Sequence, residues 1–428
     1  LTLISRNSIS QSGAGNLTIS GMANFVAGGS GASGDLTLNN ATNNFGTVTA
    51  TGANITIADA SALTITDIVV KDSQNQNGNG TVSITAQNLT LTGNLIAGLA
   101  GVVNLLPTAG LIVDLGVKST GNFGLLASEI NRITAGTLVI GSNTAGAILN
   151  TVPINRSNAT LGRNLTLISG STITQTDGNL TVAWMANFVS NGTGTSGNIT
   201  LNNLTNNFYS TGCIASSGTN ITIINSYPTV LARTVASGCL TVNSPSGAIT
   251  QATGTSISVA GMANFVTGSG GTAGNITLNN ATNNFTTITA SGTNITIAGT
   301  NAITVNGIIG SNVNLTSGGN LTVNSTGISA TGDVSLQSTL SSSLMTIGGS
   351  GIDNQSGPGT ITLTGGYFEQ SAGVIKSNST IAILTLQTIN INGGTIQTPG
   401  NVTLNAANAI SQTSGNIVSG GTANIVST

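Results

Sequence analysis

Residues 21–40 read GMANFVAGGSGASGDLTLNN, and residues 261–280 read GMANFVTGSGGTAGNITLNN. Between them the second copy in chain order, WMANFVSNGTGTSGNITLNN, fills 184–203, so that 261–280 is the third, and residues 421–428, GTANIVST, begin a frayed fourth. Inside the copies lies a shorter period. NLTI starts at Asn16, DLTL at Asp35 and NITI at Asn54, each 19 residues after the last; SISV at Ser256, NITL at Asn275 and NITI at Asn294 keep the same step. Within each short run the apolar residues alternate, as in Leu36, Thr37, Leu38, which is the period-two mark of a strand with one buried face. A polar residue precedes each run, and a bend such as AGGSGASG follows, where glycine takes positive φ without a Cβ penalty.

A fixed short period of strand and bend, with no convincing helical pattern, predicts an all-β chain folded as a parallel β-solenoid of about 19–20 residues per coil. At that length the chain makes about 22 coils. Leu17, Leu36 and Ile55 are expected in one inward column, Thr18, Thr37 and Thr56 in an outward one, and the Asn and Asp corners in a ladder of side-chain amides. Six of the eight phenylalanines fall in pairs 20 apart, Phe25 with Phe45, Phe188 with Phe208 and Phe265 with Phe285, and are expected to meet inside. Residues 1–428 read as one continuous solenoid with no separate globular domain, the spacers of about 66–160 and 306–400 being less regular. Both termini fall inside the repeat and carry no cap signal, so the stack is expected to continue axially, through a longer chain or end-to-end association.

Composition narrows the chemistry. Only 4% of the residues are charged, against roughly 25% in an ordinary globular protein. With a net charge of −2 and no basic run, nothing attracts a phosphate backbone, so nucleic acid is not an expected partner. Histidine is absent and there are two cysteines, which leaves no material for a zinc site or a cysteine/histidine nucleophile; no metal or cofactor is expected. The uncharged run NLIAGLAGVVNLLPTAGLIV, 94–113, carries Pro107, three glycines and Asn104 and reads as core or contact surface rather than a membrane span. Because it lacks clean alternation, Leu95 to Val117 is expected to expose part of an apolar strip that pairs copies laterally.

The 19-residue GNLTL coils, with ITQTDGNLTV from Ile173 and INRITAGTLVIGSNTAGAI from Ile130, resemble the filamentous-haemagglutinin-like proteins exported by two-partner secretion. That resemblance covers most of the chain. It implies a right-handed parallel β-helix shaft, secretion to the extracellular side or outer cell surface, and a role in adhesion or biofilm matrix.

Candidate sites are few. Parallel β-helices include polysaccharide lyases, whose sites need clustered carboxylates; the densest group here is Asp59, Asp67, Lys71 and Asp72, near a loop, where charges ordinarily sit for solvation. Glu129 with Arg132 reads as a surface pair. The stretch AGGSGASGD superficially resembles a calcium-binding nonapeptide, but its spacing is wrong. Each strand exposes usually one Thr, which a polar outer face requires without ice binding, and the Asn-x-Thr triplets sit at strand entries whether or not they carry sugar. Cys213 and Cys239, 26 apart, are expected to be bridged between adjacent coils. Trp184, Tyr209 and Tyr227, all in the second copy, are the candidate ligand surface. The leading expectation is an extracellular structural shaft without catalysis; an adhesin binding glycans or cell-surface proteins is the alternative, and a lyase the third.

Overall fold

The computed structural model describes the chain apart from residues 14, 30, 75, 210, 269–273 and 355, and apart from the side chain of residue 32. The chain is all-β, 59% strand and 2% helix, and forms a β-solenoid of about 19 turns. It divides into two compact units, Leu1–Ile224 and Asn225–Thr428. The bend of the third copy falls on 269–273, outside the described residues.

In the second unit a coil is three short strands: Val334–Ser338, Leu344–Ile347 and Gly351–Asn354, then Ile361–Gly365, Tyr367–Gln370 and Val374–Ser377 on top of them. Each strand pairs in parallel with the one in the next coil, Val334 with Ile361 and Ile361 with Ile381. Apolar inward residues therefore stack on one another, Ile361, Ile381 and Val402 being fully buried in one column, while the buried Asn354 stacks on Ser377. A single coil has no second layer to cover this face; its neighbours supply it. In the first unit one such column runs Ile9, Leu36, Ile55, Val82, Val103, Leu138, Leu165, Ala186 and Ile214.

That column corrects the expected register. Leu36 stacks on Ile55, 19 residues on, but the residue beneath it is Ile9, not Leu17. Leu17 belongs to a different wall, where its neighbours Thr18 and Ile19 pair with Asn44 and Phe45. Coil length is not constant: Ile276 pairs with Ile295, 19 on, whereas Val334 pairs with Ile361, 27 on. Longer corners absorb residues, hence about 19 turns rather than 22.

The outward threonines stand as expected, half-exposed and paired across coils, Thr37 with Thr56, Thr200 with Thr222 and Thr277 with Thr296. The corner ladder is present too. Asn54 Nδ2 donates to Asp35 Oδ1 at 3.0 Å, Asn294 to Asn275 at 3.0 Å and Asn312 to Asn294 at 2.7 Å. The phenylalanine pairs meet inside, though not within one column. Phe25 pairs with Ala50 and Phe45 with Ile19, so the rings come from two walls and touch edge to face at 5.9 Å, with 5.8 and 6.0 Å in the other copies.

The apolar run is more regular than its sequence suggests. Leu95–Pro107 is one strand in which Leu95, Ala97, Val103 and Leu105 are buried. Gly98, at φ 83°, shifts the pairing register, and the exposed Leu99 and Ala100 interrupt the alternation, which resumes at Gly101 in the same phase. Leu105 is core. Only Leu99, Ile112 and Val117 leave substantial apolar surface in the segment. No helix is long and apolar enough to cross a membrane among the described residues.

Candidate functional site

Side chains that the core does not use collect at one corner of the first unit. Gly136, Arg163, Trp184 and Gly212 follow one another there on successive coils. Thr137 pairs with Asn164, which places Gly136 beneath Arg163; the Trp184 N–H donates to the Arg163 carbonyl at 3.1 Å, and the Cys213 N–H to the Trp184 carbonyl at 2.9 Å. The Arg163 guanidinium lies 4.8 Å from the centre of the Trp184 ring, a contact held by the attraction of a cation for the π face. It makes no ion pair and no hydrogen bond with another described residue. Trp184 is 52% exposed and Leu99 55% exposed. Together with Gly136, Ala159, Gly162 and Asn164 they line a surface groove of about 330 Å³.

The glycines of this floor are required by close approach. A Cβ on Gly136 would stand 2.4 Å from the Leu99 carbonyl oxygen, and one on Gly162 1.7 Å from that of Ala135. No side chain can fill the groove from below without moving backbone.

The other expected site residues scatter. Tyr209 is 38% exposed and stands at the corner one coil beyond Trp184, its N–H donating to Val182 at 3.2 Å. Tyr227 is exposed and belongs to the second unit. Neither Cys213 nor Cys239 is bridged. The coil neighbour of Cys213 is Met185, 28 residues back, whose Sδ lies 3.7 Å from the Cys213 Sγ. Burial pushes the Cys213 thiol up from its ordinary value.

In the acidic cluster, Asp59, Lys71 and Asp72 are bonded within the chain. Asp59 is buried and accepts from the Phe45 N–H at 2.6 Å and the Ser61 N–H at 2.7 Å, while Asp72 Oδ1 closes a loop by accepting from the Gln74 and Gln76 N–H groups. Lys71 donates to Asn77 Oδ1. Glu129 is not a surface partner of Arg132. It is 4% exposed, accepts from the Leu91 and Leu126 N–H groups and pairs with Lys118 at 2.8 Å. Among the described residues no three or more His, Cys, Asp or Glu gather.

Two interior features escaped the sequence reading. Arg156 is fully buried, and its guanidinium donates to the carbonyls of Ile133, Ala135 and Leu161, Nε remaining without a partner. Burial lowers its pKa to about 10. The second feature is a reciprocal amide pair repeated in each copy: Gln11 with Asn43, Gln175 with Asn206, and Gln251 with Asn283, each through two bonds of 2.7–2.9 Å. Its signal was the recurrence of a glutamine in SISQ, TITQ and AITQ and of the first asparagine in TNNF.

Parallel strands stacked coil on coil around an apolar interior, with a buried amide pair recurring in each copy, define a repeat protein of the β-solenoid class. A family model described as repeats of unknown function (DUF5649) matches residues 1–51, 144–212 and 218–291, the stretches that carry the three complete MANFV copies or the coils beneath them. No curated protein and no solved structure matches the chain.

Proposed function

We propose that this protein is a structural shaft, working outside the cell in a surface fibre, filament or matrix and carrying no catalytic step. One observation carries the reading: corner asparagines bond to their counterparts on neighbouring coils, as in the Asn275, Asn294, Asn312 ladder, so this polar surface chemistry is spent on stacking. The carboxylates support it, because Asp59 and Glu129 are engaged with backbone N–H groups rather than presented to a substrate. Low charge and a polar uncharged exterior suit self-association, end to end or laterally. The resemblance to exported haemagglutinin-like shafts supports an extracellular place. Immunogold electron microscopy of the source cells tests this: label along surface filaments or matrix is expected, and label confined to the cell interior would overturn it.

The adhesin reading has one specific observation behind it, the exposed Arg163–Trp184 pair at its groove.

A further inference from the structure

We propose that the groove between Leu99 and the Arg163–Trp184 pair binds a uronic-acid residue of an acidic polysaccharide, the carboxylate on Arg163 and the sugar ring flat over the Gly136–Gly162 floor. Comparison of the repeats with one another isolates these side chains. At the position of Trp184 the first and third copies have Gly21 and Gly261. In the third copy the coil beneath also has a glycine, Gly238, whose carbonyl accepts the Gly261 N–H at 2.8 Å, as the Arg163 carbonyl accepts that of Trp184. The same corner is thus built once as Gly on Gly and once as Arg beneath Trp. The fold needs neither large side chain there, and the chain's single tryptophan sits half outside the core.

The chemistry of the pocket selects the occupant. Arg163 is a cation without a carboxylate partner in a chain of net charge −2, so an anion from outside is its complement. The indole holds the guanidinium at the groove edge and lowers the entropy lost when a ligand binds. The remaining lining, Leu99, Ala159 and the two glycines, is apolar apart from Asn164, whose amide is engaged with Thr137 Oγ1 and the Met185 N–H, and offers a surface for the C–H face of a ring. An added peptide strand is disfavoured because the floor lies inside a paired sheet: Ile133–Gly141 pairs with Leu95–Pro107 on one side and with Asn164–Ser169 on the other, leaving no open edge.

Binding is measured on the full chain by the fluorescence of Trp184, with polygalacturonate as probe, dextran as the neutral control and polyglutamate as the non-sugar polyanion. Polygalacturonate is expected to shift the emission saturably. Trp184→Gly, the residue the other copies carry, and Arg163→Gln should each weaken binding about tenfold or more by calorimetry, with circular dichroism unchanged. Absence of binding, or equal binding by both variants, would overturn the site; equal binding of polyglutamate or dextran would overturn the ligand class. Filament formation by Trp184→Gly reports on the shaft reading separately, since that substitution leaves the stacked coils as they are in the other copies.

Discussion

Replacing Asn283 by Ala tests the interior amide pair. Asn283 is fully buried; its Oδ1 accepts the Ile257 N–H at 2.9 Å and Gln251 Nε2 at 2.7 Å, and its Nδ2 donates to Gln251 Oε1 at 2.9 Å and to the Leu278 carbonyl at 3.1 Å. Truncation strands the Ile257 N–H in the core, at about 1–3 kcal/mol, and takes an acceptor and donor from the Gln251 amide and a donor from Leu278. With the small cavity left behind, the expected loss is about 3–5 kcal/mol. Gln251→Ala should cost only about 1–2 kcal/mol, because Asn283 keeps its bonds to Ile257 and Leu278 and Gln251 itself is half-exposed. Repeat arrays need not unfold in one step, so guanidinium denaturation should be read together with hydrogen exchange at the Ile257 amide. Equal costs for the two variants, or an Asn283→Ala loss below about 1 kcal/mol, would show that the pair does not hold the wall.

Phe265→Ala opens a cavity beside Phe285 and should cost about 3–5 kcal/mol, whereas Thr277→Ala, on the outer face, should stay within about 0.5 kcal/mol; parallel denaturation curves check both. Lys118→Met should destabilise the segment around Ala127–Ile130 by leaving the buried Glu129 carboxylate without its cation, and the double variant Lys118→Met with Glu129→Gln should recover part of the loss. Cys213 should be alkylated by iodoacetamide with a midpoint above the ordinary thiol range, because burial disfavours the thiolate. The sign for stability follows: with the folded pKa raised, the contribution is intact below the unfolded pKa and is lost as pH climbs through the folded one. Cys213→Ser should abolish that dependence.

The strand pattern and the corner amides were legible because each depends on residues adjacent in sequence. Leu36, Thr37 and Leu38 declare their faces unaided. Column membership depends on the lengths of the intervening corners, which is why Leu17, spaced 19 from Leu36, was placed on the wrong wall. The obstacle at Leu95–Pro107 is an interruption: a positive-φ glycine followed by the exposed Leu99 and Ala100 divides one alternation into what reads as an irregular run. Glu129 and Lys118 are 11 apart on an irregular excursion, and nothing local marks either as buried. Trp184 stood out by its rarity, but its partner Arg163 is chosen by a 21-residue coil and is visible only in the stack.

Which residues face outward, and so which could meet a neighbour or a glycan, is decided by column register. Cysteine pairs introduced in a Cys213→Ser, Cys239→Ser background measure it most directly. Thr37 and Thr56 are direct partners in adjacent strands, while Thr18 and Thr37, also 19 apart, are not, Thr18 pairing with Asn44. Strands in register lie about 4.8 Å apart, within disulfide reach. Oxidation should therefore link Thr37→Cys to Thr56→Cys rapidly and leave Thr18→Cys and Thr37→Cys unlinked. Linking of the second pair and not the first would contradict the stacked register and the surface derived from it.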